Sequence, residues 1–161
     1  MDYLWTPWRY QYVTEGARPS ECVFCTAARG SDDRESLIVH RAKFNFIILN
    51  RFPYTNGHVM VVPYQHVATL RDLPEEALIE MMRLARECEK QLNAAYRPDG
   101  LNIGINLGRS AGAGIADHVH MHVLPRWTGD TNFMTVTGET RILPEELPAT
   151  WEKLRSAGWG G

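Results

Sequence analysis

The chain has 161 residues, 44% hydrophobic and 22% charged, with three cysteines and a formal net charge of −2. That length suits a single domain, residues 1–161, with its own core, and the near-neutral balance gives no electrostatic basis for binding nucleic acid or a membrane surface. No apolar run approaches the roughly 20 residues of a membrane span, and MDYLWTPWRY lacks a basic segment followed by an apolar one, so it does not read as a signal peptide and a cytoplasmic protein is expected.

Residues 1–20 are aromatic and punctuated by proline (Trp5, Pro7, Trp8, Tyr10, Tyr12) and read as an ordered arm packed on its own domain or on a partner subunit. Cys22 and Cys25 follow at C-x-x-C spacing, which in a reducing compartment points to metal or redox chemistry, not a structural disulfide. Residues 28–35 are a polar loop. LIVH (37–40) and FNFIILN (44–50) read as strands, FPYTNGH as a turn signalled by Asn56-Gly57, and HVMVVP (58–63) as the next strand. Pro74 opens a long helix with Glu75 and Glu76 in its first turn, where they complement the dipole. Leu78, Met81, Met82, Ala85, Cys88, Leu92 and Ala95 recur at helical spacing as its core face, which makes Cys88 a small core residue. Pro98-Asp99-Gly100 ends it. LNIGINL (101–107) is a strand, GRSAGAGIAD a loop of small residues, and HVHMHVLP (118–125) a strand. A C-terminal extension from residue 128 holds a further strand at 133–138 and a short helix from Pro144 to about Leu154. Together these elements predict an α+β fold: a largely antiparallel sheet of about five strands, one long helix and a short C-terminal helix.

HVHMHV, residues 118–123, carries the chemistry. Its period of two puts Val119, Met121 and Val123 on a core face and His118, His120 and His122 on the other, lining a pocket or an open surface. A neutral imidazole is a competent nitrogen nucleophile toward phosphorus, and its covalent phosphoramidate divides one hard displacement into two easier ones. A neighbouring imidazole can donate to the phosphate oxygens. His120, flanked by both others, is the natural nucleophile. The backbone N–H groups of the preceding loop, around Ser110 and Gly112, are candidates to cradle phosphate. His40 has no assigned role and reads as a surface residue at a strand end.

GHVMVVPYQH, NIGINLGRSAGAG and DHVHMHVLPRW together resemble the histidine triad (HIT) superfamily over roughly residues 20–127. The resemblance implies an antiparallel α+β fold, a homodimer, and attack on a nucleotide α-phosphate. It implies that His120 forms the nucleotidyl-histidine intermediate and that His122 hydrogen-bonds the phosphate and the leaving group. It places His58 in the pocket and Asn50 near the ribose. It also implies a structural zinc, with Cys22, Cys25, His66 and His118 as ligands, a set that completes a tetrahedral site and would contribute on the order of 10 kcal/mol to folding.

LWTPWRYQYV and GDTNFMTVTGETRILPEEL resemble the diadenosine tetraphosphate phosphorylase (ATP adenylyltransferase) branch, which implies cleavage of that dinucleotide by inorganic phosphate to ATP and ADP. Where many family hydrolases carry Gly-Gln-Ser/Thr-Val before the triad, this chain has Ala113, Gly114, Ile115 and Ala116; Asn106 and Ser110 are the candidates to replace the missing polar groups. Two other readings stay open: a hydrolase of dinucleoside polyphosphates or adenosine phosphoramidates, and a nucleotide-binding sensor without catalysis.

Overall fold

The structure is a computed structural model that describes residues 21–130 and 145–159. The aromatic arm and the strand expected at 133–138 lie outside the described residues. The chain order is α1 (Val23–Arg29), β1 (Ile38–Arg41), β2 (Asn45–Leu49), β3 (Val59–Pro63), α2 (Glu75–Tyr96), β4 (Gly100–Ile105), β5 (Met121–Arg126) and α3 (Leu147–Arg155). The five strands form one sheet in the order β1-β2-β3-β5-β4, each neighbouring pair antiparallel. The α+β class, the five-stranded sheet, the long helix and the short C-terminal helix are as the sequence predicts.

Every residue of β2 and β3 is buried, because these central strands are covered on both faces. On one face Ile47, Leu49, Val59 and Val61 pack with Val119, Met121 and Val123 against Met81, Ala85, Cys88 and Leu92 of α2 and Leu154 of α3. This is the main core, and Cys88 is fully buried in it. On the other face Phe46, Ile48, Met60 and Val62 pack with Ile38 and with Phe24 of α1. Period-two alternation thus sends the apolar residues of 119–123 to the main core and leaves the histidines on the α1 side.

The helix α2 departs from its expected face in one place. Met82 is 61% exposed, and Leu84 and Gln91 are buried instead. Adjacent positions 81 and 82 lie about 100° apart on a helix, so only one can point at the sheet, and Met81 does. The side chain of Glu80, on the same helix, reaches the turn between β1 and β2. Its carboxylate accepts from the backbone N–H groups of Lys43 (3.1 Å), Phe44 (2.7 Å) and Asn45 (2.8 Å), and from the Asn45 side-chain amide (2.9 Å).

Four further differences have physical causes. The helix α1 is not evident in the sequence: it has seven residues, no side-chain cap and no acidic residue in its first turn, so tertiary contacts must hold it. Those contacts are the burial of Phe24 and the Arg41 guanidinium, which donates to the carbonyls of Ala28 (2.7 Å) and Gly30 (2.9 Å) at the helix C-terminus while pairing with Asp33. The strand β5 begins at Met121, not at His118, because its partner β3 ends at Pro63, which has no N–H to extend the ladder. Residues 118–120 are held by single bonds instead: Val119 N–H donates to the Val67 carbonyl at 2.7 Å. The C-terminal helix starts at Leu147, with Pro148 in its first turn, after the expected Pro144, which lies outside the described residues. Finally, His40 is half-buried in β1, stacked on Trp159 at 5.9 Å, and not a plain surface residue. Burial, and the nearby Arg155 charge, lower its pKa.

Candidate active site and metal centre

The segment 118–122 crosses the sheet face covered by α1, and a backbone group sets the tautomer of its first two histidines. His118 is buried, and its Nε2–H donates to the Pro63 carbonyl at 2.9 Å. A neutral imidazole with a proton on Nε2 carries its lone pair on Nδ1. That Nδ1 lies 3.3 Å from Cys22 Sγ, 3.6 Å from Cys25 Sγ and 3.2 Å from His66 Nδ1, and Cys25 Sγ is 3.3 Å from His66 Nδ1. All four donor atoms fall within 4.8 Å of one another. One lone pair cannot satisfy three neighbours. Ligand atoms about 2.0–2.3 Å from a tetrahedral ion would stand roughly 3.3–3.8 Å apart, and these spacings lie in or beside that range. Cys22, Cys25, His66 and His118 therefore form a possible metal site, two soft thiolate donors and two imidazoles with no open position. Burial and then the neighbouring Cys22 raise the Cys25 thiol above its ordinary value.

His120 is 4% exposed. Its Nδ1–H donates to the His118 carbonyl at 2.8 Å, which leaves the lone pair on Nε2. Burial lowers its pKa, against the opposing pull of that carbonyl, so the ring is neutral and nucleophilic at neutral pH. Its centroid is 4.8 Å from that of His122 and 4.9 Å from that of Phe24. Phe24 also meets His118 edge-on at 5.4 Å. The residue between the two cysteines thus touches both the possible metal ligand and the candidate nucleophile.

His122 is half-buried at the strand start; burial, and then His120, hold its pKa at about 4. Its Nδ1 is 2.9 Å from Nε2 of His58, and the Tyr54 ring lies tilted against His58 at 4.8 Å. His58 is 1% exposed. Asn50 is held inside the 50–58 turn: its Oδ1 accepts from Phe52 N–H at 2.9 Å and its Nδ2 lies 3.3 Å from His58 Nδ1. Asn106 directly follows Ile105, the last residue of β4, which pairs with Met121 at the start of β5. Ser110 sits exposed in the turn Arg109–Ala111, and Gly112 closes that turn at φ +90°, a conformation that favours glycine. The structure thus brings His58, Asn50, His120 and His122 into one cluster and the four sulfur and imidazole donors into a second, with His118 and Phe24 between them. Ser110 and Gly112 stay in the loop that precedes the triad. Sequence reasoning missed Phe24 and Tyr54; the only signal for the first was its place inside C-x-x-C.

The HIT domain matches residues 32–129 of this chain. With that match, this fold and the three-histidine segment, the chain belongs to the HIT family. It is 38% identical over 165 aligned positions to AP-4-A phosphorylase of Mycobacterium tuberculosis, an alignment that covers 97% of this chain and 83% of that protein. It is 27% identical over 135 positions to the adenosine 5'-monophosphoramidase of Schizosaccharomyces pombe, covering 84% of this chain and 96% of that one. Among solved structures it is similar to a Zn-bound histidine triad family protein from Mycobacterium smegmatis, with a TM-score of 0.69, 29% identity, and coverage of 85% of this chain and 92% of that one.

Proposed function

We propose that this protein is a nucleotidyl transferase that phosphorolyses diadenosine tetraphosphate to ATP and ADP through a His120–AMP intermediate. The observation that carries the reading is the His120 geometry: Nδ1–H tied to the His118 carbonyl, Nε2 left with the lone pair, the ring kept neutral by burial. In the first step Nε2 attacks the α-phosphorus; the N–P bond forms, the P–O bond to the polyphosphate breaks, and ATP leaves. In the second, an oxygen of inorganic phosphate attacks the same phosphorus, the N–P bond breaks and ADP leaves. His122 is the hydrogen-bond donor to the phosphate or the departing oxygen, and Asn106, Ser110 and Gly112 are the candidates to hold phosphate oxygens. The 38% identity to AP-4-A phosphorylase across nearly the whole chain supports phosphate as acceptor. So does the small, apolar run Ala113, Gly114, Ile115 and Ala116, where hydrolases of the family offer polar side chains.

The ligands Cys22, Cys25, His66 and His118 suit a structural zinc. With four protein donors it would hold the active-site strand in place and take no part in bond making. A cytoplasmic homodimer completes the proposal, with Ile79 and Met82, exposed on α2, and the outer edge of β4 as surfaces for a second copy.

Incubation with diadenosine tetraphosphate, with and without inorganic phosphate, tests the reading. ATP and ADP formed only with phosphate, and no turnover by His120→Ala at unchanged folding, are the expected results. ATP plus AMP without phosphate would make the protein a hydrolase, the second reading, which the likeness to a phosphoramidase favours. Tight nucleotide binding without turnover or an adenylylated protein would make it a sensor.

A further inference from the structure

We infer that Phe24 is a positioning residue: through its ring, the cluster of Cys22, Cys25, His66 and His118 sets where the imidazole of His120 stands. The kinetic consequence rests on the nucleotidyl-transfer reading; the placement of the ring does not.

The linkage starts at the C-x-x-C spacing. The Cys22 carbonyl accepts the first helical bond, from Thr26 N–H at 3.0 Å, so Cys22 and Cys25 stand about one turn apart and share a face of α1. Residue 24 lies about 100° round the helix axis from residue 25. Any partner that fixes both sulfurs therefore fixes the rotation of this short helix, and with it the direction of Phe24. Both sulfurs do converge on one atom: Cys22 Sγ is 3.3 Å and Cys25 Sγ 3.6 Å from Nδ1 of His118. The Phe24 ring is 2% exposed and packs with Phe46, Ile48 and Met60, so it has no room to turn independently of α1.

His120 needs such a support. The bond from its Nδ1–H to the His118 carbonyl holds one edge of the ring and does not by itself fix its tilt. Two aromatic rings meet it: His122 at 4.8 Å and 72°, and Phe24 at 4.9 Å and 55°. His122 lies two residues further along the same segment and shifts with it. Phe24 comes from a separate element, so it is the contact through which the position of α1 reaches the nucleophile. Attack on phosphorus demands close alignment, and a misplacement of about 1 Å costs on the order of 100-fold in rate. A cluster with no open coordination position can in this way govern a reaction in which it makes no bond. A second route from the cluster to His120 runs through the His118 carbonyl, and experiment separates the two.

Zinc-loaded protein, and the same protein after chelation, are compared by 1H–13C spectra of the histidine rings and by NOEs between aromatic side chains. In the wild type, withdrawal of zinc should weaken the Phe24–His120 NOEs and shift the His120 ring signals. In Phe24→Leu, which keeps an apolar side chain at the site, the His120 signals should respond little to zinc. The zinc-loaded variant should lose kcat on the order of 10-fold with KM little changed and its zinc retained. Wild-type NOEs that persist while the His120 signals shift, or a full response to zinc in Phe24→Leu, would route the coupling through the His118 backbone and overturn the inference. So would wild-type His120 signals indifferent to zinc, or a raised KM at unchanged kcat in Phe24→Leu, which would make Phe24 a surface for substrate instead. Should Phe24→Leu fail to fold, the wild-type NOEs still decide. If no nucleotide is turned over, the transfer reading fails, while the spectra judge the ring placement on their own.

Discussion

Removing metal should undock α1 while the sheet stays folded. Fixing the backbone of the seven residues of α1 costs roughly 7–14 kcal/mol. Burying Phe24 returns about 2–3 kcal/mol. The two short bonds from Arg41 to the Ala28 and Gly30 carbonyls return about 1.5–3 kcal/mol each, and three or four helical hydrogen bonds add about 1 kcal/mol apiece. The gain, about 8–13 kcal/mol, nearly equals the cost, so α1 by itself is docked marginally. An ion held by Cys22, Cys25, His66 and His118 would tip that balance by up to about 10 kcal/mol. Hydrogen exchange read by mass spectrometry, on protein as purified and after chelation, is the assay. Amides of residues 23–30 should lose their protection after chelation, while those of β2, β3 and α2 keep theirs. Because Phe24 contacts His120, turnover should fall in parallel. Equal protection of 23–30 in protein shown by elemental analysis to be metal-free would refute the reasoning.

Glu80→Gln replaces an acceptor of four hydrogen bonds with a side chain that points N–H at N–H; it should cost about 2–3 kcal/mol, read as a lower urea midpoint at unchanged m. A cost below about 0.5 kcal/mol would mean that the 42–45 turn holds itself. His122 titrates near 4 in the fold against an ordinary 6.5, so the unfolded chain binds the extra proton first. Its contribution to stability is complete above pH 6.5 and is lost as pH falls from 6.5 to 4, in all about 3 kcal/mol. His122→Asn should flatten the stability profile over that window, and parallel profiles for the two proteins would contradict it. Met82→Glu, at an exposed position of α2, should leave the fold intact and convert a dimer to monomer in sedimentation equilibrium; a mutant that stays dimeric would move the interface elsewhere.

The sheet was legible because its strands obey simple rules. Continuous apolar runs at 46–49 and 59–62 mark strands covered on both faces, and the alternation at 118–123 divides core from site. The partners of that site were less so. Cys22 and His118 stand 96 positions apart, and C-x-x-C by itself names only a pair; His66 and His118 came from family likeness. The contact between His58 and His122 has no local signal at all. It arises because the register sets Met60 against His122, so that His58, two residues earlier on the same side of β3, reaches across the strand pair. Met82 was misplaced because apolar residues at 81 and 82 leave the helical phase ambiguous. The short helix α1 escaped because it depends on Phe24 and Arg41, not on helix propensity.

Helix α3 has a consequence for how this protein behaves in company. Its Trp151 Nε1–H and Arg155 Nη1–H donate to the carbonyls of Ile38 and Val39, on the outermost strand β1. A border strand with free acceptors is a template onto which any extended stranger can hydrogen-bond, and a path to aggregates. Here the chain fills that border with its own tryptophan and arginine, while β4 at the opposite border has no strand beside it among the described residues. Among the described residues, then, the β1 border is the one that side chains of α3 cover. Loss of the tail from residue 145 onward would uncover the carbonyls of Ile38 and Val39 and leave β1 as a border on which a foreign strand can grow.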